Sequence, residues 1–98
     1  MVKNINMPRL VNVTEEIVLG LVKFLLHGTE YQTFCHCKSC ELEIAAYALN
    51  NLPPYYVTTS ANREEAFDQL KTSKNIQQIN KQIIIAIHEI GKPPNHTD

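Results

Sequence analysis

Apolar residues in this chain recur mostly at helical spacing, and polar or helix-breaking residues divide them into blocks. The first block, Ile17, Val18, Leu21, Val22, Phe24, Leu25 and Leu26, predicts a helix running from about 13 to 27. Asn12 or Thr14 stands where a cap belongs, Glu15 and Glu16 fall in the first turn where the helix dipole favours negative charge, and Gly28 follows as a terminator. These apolar positions cover more than one narrow stripe, so the helix is expected to be contacted on two sides, one of them open to a second subunit. Residues 29–39 carry no sustained period and read as a loop.

A second helix is predicted from near Cys40, with Leu42, Ala45, Ala46 and Leu49 on its apolar side, and Asn50, Asn51, Pro53 and Pro54 stop it. Tyr55, Tyr56, Val57, Thr58 and Thr59 are aromatic or β-branched and favour an extended segment. No second run of this type is visible, so the segment reads either as a strand paired with its own copy across a two-fold axis or as an extended loop. Asn62 with Glu65 has capping-box spacing and precedes Ala66, Phe67 and Leu70 on a third helix. Ile76, Ile79, Ile83, Ile87 and Ile90 then mark a strongly amphipathic helix that ends at Gly91, ahead of Pro93, Pro94 and a loose tail. The polar stretch from Thr72 to Asn75 leaves open whether 62–90 is one bent helix or two.

Length and composition narrow the class. The 98 residues, 44% of them hydrophobic, suit one domain over 1–98 with a small core that benefits from a metal or a partner subunit. A net charge of -1 lacks the positive field that binding to a phosphate backbone requires, which argues against direct nucleic-acid binding. The opening from Met1 to Arg9 has no apolar run like that of a signal peptide, and no apolar segment is long enough to span a bilayer, so a cytoplasmic location is expected. Reducing conditions there and an odd cysteine count disfavour a structural disulfide framework.

All three cysteines, Cys35, Cys37 and Cys40, fall within six residues. Thiolates are soft ligands that favour Zn²⁺, and a Cys-x-x-Cys turn lets sulfurs converge on one ion. A structural zinc site normally has four ligands, and the motif supplies three. His36 is poorly placed to be the fourth, because a residue flanked by two ligands projects away from the ion they share. His27, Glu30, His88, His96, water or a residue of a second subunit are the other candidates. A thiol–disulfide role ranks below zinc because a simple redox pair needs only two sulfurs. No catalytic residues are assigned and no enzyme activity is expected: Glu41 and Glu43 read as first-turn carboxylates rather than as a general base beside an open metal position. His27 and His88 read first as dipole partners at helix ends, and Tyr47, Tyr55 and Tyr56 as core or interface residues.

The segment from Phe34 to Tyr56, FCHCKSCELEIAAYALNNLPPYY, resembles the late competence development protein ComFB family, whose signature joins a cysteine cluster to an Ala-rich helix, Leu-Asn and a Leu-Pro-Pro-x-Tyr segment. Asn12, Glu15, Glu16 and Val18 fit the family's N-terminal pattern, and the long final helix fits its length. The resemblance implies an all-α fold: a small helical domain with a zinc-bound cysteine loop at Cys35, Cys37 and Cys40, homodimeric, with at most one short extended segment. The subunit contact is expected on helix one and the isoleucine face of the final helix. It also implies a non-enzymatic accessory or regulatory role in natural competence. Some members of the family are receptors for cyclic dinucleotides, so a cyclic di-GMP or cyclic di-AMP receptor is the alternative, with no nucleotide-binding residues assigned. Tyr55 stands where many relatives have Arg, which binds phosphate bidentately as Tyr cannot, and Glu43 where many have Asp.

Overall fold

Asn12 sets the start of the first helix without capping it. In the computed structural model, which describes residues 8–91, Asn12 is extended and its side-chain Oδ1 accepts a hydrogen bond from the Tyr55 amide at 2.9 Å instead of from a helix N–H. The Val13 amide donates to the Tyr55 carbonyl at 2.8 Å, and the buried Thr14 hydroxyl donates to the Pro53 carbonyl at 3.1 Å. Three bonds thus fasten the helix entry to the Pro-Pro-Tyr segment. They also place strand β1 (Val11–Asn12) antiparallel to strand β2 (Tyr56–Val57), with Val11 opposite Val57 and Asn12 opposite Tyr56. The extended segment therefore finds its partner within the chain, which corrects the expectation of pairing across a two-fold axis.

Helix α1 (Val13–Leu26) is followed by a single 3₁₀ turn (Thr29–Tyr31). At its end the Gly28 amide bonds back to the Leu25 carbonyl at 3.0 Å, and a Cβ on Gly28 would lie 3.3 Å from that same oxygen, a tight contact that glycine avoids. Helix α2 (Lys38–Leu49) begins two residues ahead of Cys40 and lies mainly between α1 and α4. Its buried stripe is Cys40, Glu41, Ile44, Ala45 and Ala48, so the predicted face of Leu42, Ala45, Ala46 and Leu49 is rotated from the real one, and Leu42 is exposed. Ala45 and Ala48 give the close approach expected of small residues.

Helix α3 (Ser60–Leu70) is capped by Thr59, whose Oγ1 accepts from the Asn62 amide at 3.2 Å. Asn62 is the recipient of that cap, a correction to the capping box read around it. Lys71 and Thr72 separate α3 from α4 (Ser73–Ala86), because the Thr72 hydroxyl and the Asn75 amide both donate to the Gln69 carbonyl, at 3.1 and 2.9 Å. The 62–90 region is thus two helices, the second running into a π turn (Ile87–Gly91). Ile79, Ile83 and Ile87 are buried against Val18, Val22, Leu26, Ile44 and Ala48 in one core. This face is occupied by the chain's own helices, which removes it from the expected subunit contact.

Among the described residues the fold is thus mostly helical with one short two-stranded ribbon. No helix among the described residues is long and apolar enough to cross a membrane. The tail expected beyond Gly91, His96 within it, and the first seven residues lie outside the described part.

Candidate metal centre

Three elements meet at the cysteine turn. The 3₁₀ turn leads into Phe34, whose amide donates to the Tyr31 carbonyl at 3.0 Å, and the rings of Tyr31, Phe34 and His88 pack edge-on, with Tyr31 to Phe34 centroids 5.0 Å apart and His88 5.7 Å from each. His88 therefore belongs to an aromatic cluster that anchors the loop to the end of α4, a role its position in sequence does not reveal. The His36 Nε2 donates to the Tyr31 carbonyl at 2.8 Å, so that ring too is held on the backbone side of the loop.

Cys37 then occupies the N-cap of α2, and its Sγ accepts from the Cys40 amide at 3.4 Å. An amide aimed at sulfur, at the positive end of a helix dipole, favours negative charge there. The Cys35 Sγ lies 3.4 Å from the Cys37 Sγ, and the sulfurs of Cys35, Cys37 and Cys40 all lie within 4.8 Å of one another. Tetrahedral zinc with Zn–S bonds of about 2.3 Å holds its sulfurs about 3.8 Å apart, so the observed spread brackets the requirement. The three predicted ligands are thus brought together in a group able to hold a metal ion, and the donor set matches a thiophilic one.

Of the other ligand candidates, neither His27, Glu30 nor His88 joins this group among the described residues. His27 instead contacts Glu41, Nε2 to Oε2, at 2.9 Å. Glu41 is buried at the start of α2, and the hydrogen bond from His27 lowers its carboxyl below the usual 4.5, against burial that pushes it up and with help from the fields of Lys23 and Lys38. This pair clamps the end of α1 to the start of α2, beside the cysteine turn. The contact joins a residue expected to be a dipole partner to one expected to be a first-turn carboxylate, and a separation of 14 in sequence carries no local signal of it.

Tyr55 and Tyr56 lie elsewhere. With Val57, Thr58, Asn62 and Glu65 they line an open groove of about 340 Å³ between β2 and α3, and the Tyr55 hydroxyl donates to Gln69 Oε1 at 3.1 Å.

A family model described as late competence development protein ComFB matches residues 11–94. No curated protein matches the chain at a significant level. Among solved structures, one described as a structural characterization of the late competence protein ComFB from Bacillus subtilis is similar, with a TM-score of 0.54 at 22% identity, covering 92% of this chain and 100% of that one. At that identity the likeness concerns the fold.

Proposed function

The chain belongs to the late competence development protein ComFB family, and on that premise we propose that it is a small non-enzymatic accessory or regulatory protein of natural competence that binds one zinc ion for structure. Cys35, Cys37 and Cys40 hold the ion. The observation that carries this reading is the convergence of three sulfurs within 4.8 Å at the cap of α2, where both the ligand chemistry and the spacing suit zinc. A bound ion pins the loop after α1 to the start of α2 and adds folding free energy to a small core. In this reading the protein works in the reducing cytoplasm, where thiols remain available, and two copies associate through the solvent face of α1, on which Leu19 and Phe24 stand exposed. Metal analysis of the purified chain is expected to return zinc, and Cys37→Ala and Cys40→Ala to lose it. Metal content unchanged in both variants refutes the assignment.

A cyclic dinucleotide receptor is the second reading. The groove beside β2 favours it through Tyr56, exposed and able to stack on a base, but the lining holds the Glu65 carboxylate and no cation to meet two phosphates. Calorimetry with cyclic di-GMP and cyclic di-AMP is therefore expected to give no binding heat. Saturable binding that Tyr56→Ala abolishes would reverse the ranking.

A further inference from the structure

The sulfurs differ in access. Cys40 is 1% exposed and fixed in the first turn of α2, whereas Cys37 is exposed and Cys35 half-buried in the non-helical loop before it. The Cys35 and Cys37 sulfurs are already 3.4 Å apart, so closing to a bond of about 2.05 Å requires a movement of about 1.4 Å between two residues that both precede the first residue of α2. Joining Cys37 to Cys40 would instead require movement of a side chain that is 1% exposed and carried by the first turn of α2.

We propose that Cys35 and Cys37 are a peroxide-responsive pair whose oxidation to a disulfide releases the metal. This rests on the zinc reading above. The Cys37 sulfur, reached from solvent, attacks hydrogen peroxide: an S–O bond forms, the O–O bond breaks and hydroxide leaves, giving a sulfenic acid while peroxide is reduced. The Cys35 thiolate then attacks that sulfur, forming the S–S bond and expelling a second hydroxide, and both hydroxides are protonated to water. Cys40 is left as the one thiolate of the three, too few for a tetrahedral zinc site, and the ion departs. The Cys37 sulfur is also the cap acceptor for the Cys40 amide, and a disulfide sulfur accepts less well than a thiolate, so oxidation also loosens the first turn of α2.

The test treats the zinc-loaded full chain with excess hydrogen peroxide, follows metal release with a chromogenic chelator, then alkylates and maps the cysteines by mass spectrometry. Stoichiometric zinc release is expected, with a Cys35–Cys37 bridge, an alkylated Cys40, and full recovery on adding dithiothreitol and zinc. Cys40→Ser should still form the bridge, and Cys35→Ser should accumulate higher sulfur oxides instead. Retention of zinc under peroxide, or a bridge mapped to Cys37 and Cys40, overturns the proposal. A chain that never carries zinc yet forms the Cys35–Cys37 bridge refutes the metal reading and keeps the thiol pair.

Discussion

Cys37 caps a helix and, in the proposed reading, is also a metal ligand. A serine there would preserve a cap acceptor but forfeit thiolate ligation, so metal and helix stability are separable at one position. His27 and Glu41 show the opposite case, two residues whose value appears only when α1 and α2 meet. Because the bond from His27 holds the Glu41 carboxyl below 4.5, the stabilisation it gives is fully present above the ordinary carboxylate range and is lost as pH falls through the lowered folded value. In His27→Ala the Glu41 carboxyl should titrate at higher pH than in the parent, followed by NMR of its side-chain carbon. An unshifted midpoint would mean that His27 is not the cause. The cysteine cluster was legible because all three residues sit in one short stretch of sequence. The His27–Glu41 clamp and the His88 ring cluster were not, since long-range contacts leave no periodic trace.

Among the elements, α1 and the isoleucine helix were readable from spacing alone, because each has a sustained apolar period. The β1–β2 ribbon was missed because two residues per strand are too short to show alternation, and its pairing is specified by Asn12 reaching the Tyr55 amide. The start of α3 was displaced because Asn62 and Thr59 are both good cap residues, and only geometry shows which one accepts. Thr59→Ala is accordingly expected to cost about 1 kcal/mol in denaturant unfolding, and Asn62→Ala only a small fraction of that. Equal losses, or a larger loss at Asn62, would contradict the assigned cap. A separate tie, from Arg63 Nε to Glu16 Oε1 at 2.8 Å, joins α3 to α1 across the surface, and it is partly exposed enough to add little.

Across the whole molecule, the burial of Ile79, Ile83 and Ile87 shifts the proposed contact with a second copy to the outer face of α1, which carries Phe24, the most exposed large hydrophobic among the described residues. Phe24 is 75% exposed there, one turn beyond Gly20, whose missing side chain leaves open space above the helix. Phe24→Glu should convert a dimer to a monomer in light scattering without lowering zinc content. A parent chain that is monomeric at high concentration, or a variant that stays dimeric, would remove this face from the proposal. The proposed reading thus gives metal and assembly to different surfaces: an ion would fasten the loop between α1 and α2, and self-association would use the solvent face of α1. Native mass spectrometry of the full chain, purified without chelator, tests the metal half most directly. The account predicts one zinc ion per chain, absent from Cys40→Ala. A chain of bare polypeptide mass, with all three thiols reduced and zinc supplied, would contradict it.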